Sequence, residues 1–277
     1  MSKNEIQKIG DGIYQIKYYW LGMANVYMYL IVGEEKAFLI DTGYSITHAR
    51  EYATSVTNLP VEVVNTHGHF DHIGGDADFE KVYLSSMDWK VAAQHSDYGF
   101  LSNMMKHYKE VNLPVQMLLK LKKFNQPMEE SLHIRECRYT ELPAEEFFDL
   151  GNRKVSYLET PGHTEGSICL MDEKTGYFFT GDMLCEEGVL LGFDHSTTVS
   201  EYAESVKRMQ RYFQENNGKK LIPSHHKVPV TPDIFERYLS LCEDLLSGRE
   251  QGEYVDDGIS QGLSLKKNGL QMIYREL

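Results

Sequence analysis

Residues 66–75 read Thr-His-Gly-His-Phe-Asp-His-Ile-Gly-Gly, so His67, His69, Asp71 and His72 bring four coordinating groups together within six residues. In an extended segment, residues i and i+2 point the same way, so His67 and His69 can grip one ion together. Asp71 and His72 come where the chain leaves the extended conformation and can turn to a second ion. Gly68, Gly74 and Gly75 permit the tight backbone path this needs. Imidazole nitrogen with carboxylate oxygen suits Zn²⁺, and also Fe, Mn or Co. The alternative, a solvated polar loop, would crowd four such groups together with no cation to relieve them.

Four ligands cannot complete two metal sites, and the chain supplies three more at strand ends. His163 lies in Thr-Pro-Gly-His-Thr-Glu-Gly-Ser, Asp182 ends Phe-Phe-Thr-Gly-Asp, and His225 lies in Ile-Pro-Ser-His-His-Lys-Val-Pro with His226 beside it. Taken singly, each would read as a surface residue, a cap or a turn. Their order after the H-x-H-x-D-H segment is what carries the argument, with either His225 or His226 as the last ligand.

Working outward, Ile13 to Tyr19, Val26 to Val32 and Ala37 to Ile40 read as strands, rich in β-branched and aromatic residues. A helix is expected over 46–56, then a strand over 61–65 running into the histidine segment. A short strand near 82–84 and a helix near 87–95 follow. Residues 98–124 read as helical with Pro114 breaking the run, since Leu101, Met104, Met105, Tyr108 and Val111 recur at spacings of three and four. Residues 125–144 look irregular. Further strands are expected over 147–150, 154–160, 167–172, 177–180 and 220–222, helices over 200–214 and 232–247, and a last strand near 270–274. Strands and helix, followed by strands and helix again, suggest two similar halves, each a sheet with helices on its outer face.

The bulk properties limit the partners. The 277 residues include 42% hydrophobic and 25% charged, the balance of an ordinary soluble domain. The formal charge of −13, from 28 basic against 41 acidic residues, disfavours nucleic acid. No stretch reaches the ~18 apolar residues a membrane span requires. The N-terminus shows no apolar run of a signal peptide. Cys137, Cys169, Cys185 and Cys242 form no C-x-x-C pair and read as free thiols of a reducing, cytoplasmic compartment.

The segments Asp-Thr-Gly at Asp41, His67–His72, Pro-Gly-His-Thr-Glu-Gly-Ser at His163, Thr-Gly-Asp at Asp182 and Pro-Ser-His-His at His225 resemble, in that order, the metallo-β-lactamase superfamily. The resemblance covers about residues 10–246. It implies an α+β fold, an αββα four-layer sandwich with its metals in a cleft at one edge of the two sheets. It makes the whole of 1–277 a single such domain, with a helical insertion at about 98–124 and a C-terminal extension at about 248–277. It further implies that His67, His69 and His163 hold one Zn²⁺ and that Asp71, His72 and His225 hold the other, with Fe or Mn as alternatives. Asp182 would bridge the two ions and Asp41 would orient ligands. A hydroxide shared by the ions would attack a carbonyl, with Asp71 orienting it or taking its proton.

Within that family, Pro-Gly-His-Thr-Glu-Gly-Ser-Ile-Cys-Leu and Thr-Gly-Asp-Met-Leu-Cys are most similar to the glyoxalase-II-like and acyl-CoA-thioesterase-like branch. A thioester or related ester of a small molecule is the expected substrate. Lactonases, phosphodiesterases and mononuclear iron dioxygenases of small thiol persulfides share the plan. Met183, Leu184 and Cys185 follow the bridging aspartate where lactonases carry a tyrosine, and His69 stands where di-iron relatives carry glutamate. Met104, Met105, Tyr108, Met117 and Leu118 could wall an acyl pocket, pack on the core or serve a homodimer interface. Cys185 reads as a small buried filler or as a residue lining the site, and His195 as a cap of the following helix or as a substrate contact. His48, His95, His107 and His133 read as surface residues.

Overall fold

The computed structural model describes residues 5–18 and 24–277. Two sheets lie face to face. The first runs β1 (Glu5–Gly10), β2 (Ile13–Tyr18), β3 (Val26–Val32), β4 (Ala37–Ile40), β5 (Val61–Val64) and β6 (Val82–Tyr83), in that order. The second includes β7 (Phe147–Asp149), β8 (Lys154–Glu159), β9 (Ile168–Asp172) and β10 (Tyr177–Gly181). It is closed on the β10 side by β12 (Lys220–Pro223). Its order is β12-β10-β9-β8-β7, with β12 parallel to β10.

The central strands alternate between two buried faces. On β3, Tyr27, Tyr29 and Ile31 enter one cluster with Phe38 and Ile40 of β4, and with Ile168, Leu170 and Phe179 of the other sheet. Their neighbours Met28, Leu30, Ala37 and Leu39 face outward, onto Ala49 and Ala53 of α1 (Ala49–Val56) and Leu101 and Met105 of α4 (Tyr98–Val111). Across the sandwich, Cys169, Met171 and Phe178 turn outward onto α7 (Val199–Glu215) and α8 (Ile234–Leu246). Helix, sheet, sheet, helix follows from this alternation, because a strand buried on both faces must be apolar at both parities. The expected αββα sandwich is therefore present. No helix among the described residues is long and apolar enough to cross a membrane.

Several boundaries differ from expectation. α1 begins at Ala49, not residue 46, after His48 takes a left-handed φ of 54°. The strand reaching Tyr19 is described only to Tyr18, and Tyr19 lies outside the described residues. The segment expected to be irregular from 125 starts as helix. Pro114 stands in the first turn of α5 (Leu113–Leu119), and α6 (Lys122–Ser131) carries Pro127 within it. Met128 of α6 is buried on the first sheet, and that apolar contact offsets the poor helix propensity around Pro127.

A third sheet, which the sequence reading captured only in its last strand, joins β11 (Gly188–Leu191) to the C-terminal strands β13 (Glu253–Asp256), β14 (Gln261–Lys267) and β15 (Leu270–Tyr274). β11 runs parallel to β15, so the end of the chain builds one side of the region near Asp182.

The strand ends that carry the polar clusters are fastened by Asp76. Its carboxylate accepts the Thr42 hydroxyl at 2.7 Å, just after β4, and the Asn65 side-chain amide at 2.6 Å, just after β5. Burial raises the Asp76 carboxyl to about 8, against those hydrogen bonds, which lower it. The folded state thus holds a proton that the unfolded chain would release above about 3.8. Its stabilisation is complete at acid pH and is lost as pH rises through about 8. Thermal unfolding from pH 6 to 9 should show the melting temperature of the wild type falling more steeply than that of Asp76→Asn.

Candidate metal centre

The chain leaves β5 at Val64, runs through His67 and His69, and turns at a short helix, α2 (Phe70–Ile73). Gly68 has to be glycine, since a Cβ there would meet the Ala92 amide nitrogen at 2.9 Å and the Asp88 carbonyl oxygen at 3.0 Å. This brings His67 Nε2 to 3.1 Å from His69 Nδ1, and His163 Nε2, from the loop after β8, to 3.0 Å from the same atom. A second group lies alongside. His225 Nε2 is 3.4 Å from Asp71 Oδ2 and 3.3 Å from His72 Nε2. Asp182 lies between the groups, with its Oδ2 3.6 Å from His163 Nε2 and 3.3 Å from His225 Nε2, and its Oδ1 3.5 Å from His72 Nε2. All seven residues singled out in the sequence converge here. His226 does not: it is half-buried, takes a left-handed φ of 61°, and pairs with Glu187.

The outward nitrogens of four of these rings meet oxygen acceptors. His67 Nδ1 faces the Thr66 hydroxyl at 3.0 Å, His72 Nδ1 faces Asp41 at 2.9 Å, His163 Nδ1 faces the Leu190 carbonyl at 2.7 Å, and His225 Nδ1 faces the Asn25 carbonyl. Protons on those outward atoms leave the lone pairs of Nε2 aimed into the cluster. Lone pairs facing one another at about 3 Å repel unless a proton or a cation lies between them. Asp182 Oδ1 is buried and has no hydrogen-bond partner. The donor set and the orphaned carboxylate oxygen therefore fit divalent cations.

Electrostatics separates the two groups. Burial holds His67 and His69 well below the usual imidazole range and lowers His163, so these rings are neutral. Burial works the same way on His72 and His225, but Asp182 and the other carboxylates outweigh it. His225 is lifted to about 10 and His72 is also raised. Burial in turn opposes ionisation of Asp71 and Asp182, and the neighbouring imidazoles overcome it in both.

Asp41 joins the halves. Fully buried, it accepts the Thr66 amide at 2.7 Å, the Thr66 and Ser224 hydroxyls at 3.0 and 3.3 Å, and His72 Nδ1. Asp88, which sequence reasoning passes over, is a second such tie. It accepts Gly68 N–H at 2.8 Å, Gly166 N–H at 2.9 Å and the Thr164 hydroxyl at 2.7 Å, binding the loop of His67 and His69 to the loop of His163.

Two histidines depart from expectation. His95 is not a surface residue: it is buried and stacked on His69 with ring centroids 4.6 Å apart. His195 does not cap α7, whose N-cap is Thr198 with a capping box to Glu201. It sits instead with its Nε2 2.7 Å from His69 Nε2. His48, His107 and His133 are exposed, as expected. Cys185 is buried below the cluster, its thiol pushed up by burial and by Asp182.

A cleft of about 430 Å³ opens over the metal-type residues. Its walls include Tyr44, Met104, Tyr108, Val189, Phe193 and Ile273. Met105 is buried in the core, Met117 is 69% exposed, and the side chain of Leu118 lies outside the described residues.

The comparisons agree with this geometry. A family model described as the metallo-beta-lactamase superfamily matches residues 21–83. The chain is 27% identical over 229 residues to a Gallus gallus protein named acyl-coenzyme A thioesterase MBLAC2, covering 78% of each chain. The Homo sapiens protein of that name is 26% identical, over 79% of this chain and 80% of its own. Among solved structures, a metallo-beta-lactamase from Pontibacter korlensis superposes with a TM-score of 0.62 at 18% identity, over 87% of this chain and all of that one, a likeness of fold.

Replacing Asp88 with alanine would strand three buried donors, at a cost of about 3 kcal/mol. Urea denaturation of Asp88→Ala should show a loss of that order, and affinity for divalent cations should fall with it as the two histidine loops separate. In its αββα sandwich, the order of its motifs and the relatives it matches, the chain is similar to the metallo-β-lactamase superfamily.

Proposed function

We propose that this metal-dependent hydrolase cleaves thioesters of small molecules, using two zinc ions and a hydroxide held between them. The observation that carries the reading is the set of overlapping three-residue donor groups at the floor of an apolar cleft, among them His67, His69 and His163 beside Asp71, His72 and His225. The relatives named as acyl-coenzyme A thioesterases support the substrate class. His67, His69 and His163 would hold one ion, Asp71, His72 and His225 the other, with Asp182 shared and Asp41 setting the orientation of His72. Such ions, when bound, lower the pKa of water to about 7 and polarise a carbonyl oxygen.

The chain's own residues supply the rest. Asp71 keeps 15% of its side chain exposed to the cleft, so its carboxylate can orient the attacking water and take its proton. Met104, Tyr108, Val189 and Ile273 shed water around the acyl group and favour an alkyl chain over a charged one. The free state of all four cysteines fits a cytoplasmic setting.

Thiol release from acyl-CoA and S-acylglutathione by zinc-reconstituted protein tests the reading. Activity should vanish with chelator and fall at least about 100-fold in Asp71→Ala. Metal analysis should return two zinc per chain, while a single iron would favour a thiol dioxygenase. No thiol release from any thioester would sink the proposal and leave lactones and phosphodiesters to be tried. Zinc should also raise the melting temperature of the metal-free protein, because the ions bind only the folded donor set. Met104→Trp should move the acyl preference toward shorter chains, read as kcat/KM across a graded series.

A further inference from the structure

His69 is the exception among the rings of the cluster. Where the other four turn their outward nitrogen to an oxygen, His69 Nε2 faces a second imidazole, His195 Nε2, at 2.7 Å. Two ring nitrogens at that distance require one donor and one acceptor. If His195 donated, a neutral His69 would carry its proton on Nδ1, the atom 3.1 and 3.0 Å from His67 Nε2 and His163 Nε2. That N–H would occupy the point where the lone pairs meet and would exclude a cation. If His69 donates, its Nδ1 lone pair completes the group. Resting on the metal reading above, we propose that His195 is a positioning residue that accepts the His69 Nε2 proton and so turns the Nδ1 lone pair toward the ion.

The surroundings hold His195 in place for this task. Its carbonyl accepts Glu165 N–H at 3.0 Å, Ser196 Oγ donates to the His163 carbonyl at 2.7 Å, and Thr197 N–H donates to the Gly162 carbonyl at 2.9 Å. The loop of His195 is thus fixed to the loop that carries His163. Phe193 lies parallel to the His195 ring, 3° apart with centroids at 5.2 Å, and meets His69 edge-on at 4.9 Å. His95 stacks on His69, its Nδ1 accepting Phe70 N–H at 3.3 Å. His69 is enclosed by three rings, and only the one at its Nε2 decides where its proton sits.

The test compares wild type, His195→Leu and His195→Gln for zinc affinity by chelator competition and for the visible spectrum of the cobalt form. Leucine removes the acceptor, whereas glutamine offers a carbonyl oxygen in its place. His195→Leu should lose affinity for one ion by about 10- to 100-fold and shift the cobalt bands, and His195→Gln should recover most of both. In the zinc-loaded wild type, the His69 Nε2 proton should be visible in imidazole ¹H–¹⁵N spectra and protected from exchange. Wild-type affinity in His195→Leu, or a His195→Gln variant as impaired as the leucine variant, would overturn the proposal while leaving the hydrolase reading intact. A wild-type chain that takes up no zinc would overturn both.

Discussion

A carboxylate shut away from water is tolerable only when its oxygens are matched, and Asp41 meets that condition by drawing on both halves of the molecule. Its donors come from Thr66 and His72 of the first half and Ser224 of the second. Asp41 itself takes a left-handed φ of 59°, a conformation that costs a non-glycine residue about 1 kcal/mol or more. The strain and the desolvation are borne together because one residue sets the exit of β4, the tautomer of His72 and the approach of the loop at His225. Asp88 does the same work between the loops of His67 and His163, so three of the four segments, those of His67–His72, His163 and His225, are linked by two buried aspartates.

Around those ties the centre divides by charge. The His67, His69 and His163 group is made of neutral rings, while the other places two carboxylates against His72 and His225. Without a cation, the second group can be balanced only by protons on its histidines, which is why those rings are raised. Buried charges persist when paired or when they coordinate metals. The asymmetry makes the two groups unlike: one is a set of neutral imidazoles and the other sets carboxylates against raised imidazoles.

Much of this was legible in the sequence, for physical reasons. Strands buried on both faces must be apolar throughout, so β3, β4, β9 and β10 stand out, and a local run of ligands at His67–His72 declares itself by spacing. What escaped depends on contacts distant along the chain. His195 meets His69 across 126 residues, and nothing near either residue marks the partnership. Asp88 resembles any helix-start aspartate until Gly166 and Thr164 close on it. β13 and β14 expose Tyr254 and Leu263 and show little amphipathic pattern. Asn268-Gly269, both left-handed at 52° and 76°, is nonetheless the hairpin signature that marks the turn from β14 to β15.

The pairing of β11 with β15 also orders events during synthesis. His225, the last of the converging donors, lies 45 residues ahead of Leu270 and is translated before β15 (Leu270–Tyr274) exists. Until β15 arrives, β11 is a strand without its parallel partner, and Val189 and Leu190 face a cleft that still lacks Ile273. The histidine and aspartate donors and the wall that closes the cleft beside them thus come from stretches made at different times, and the cleft takes its final shape only with the C-terminal segment.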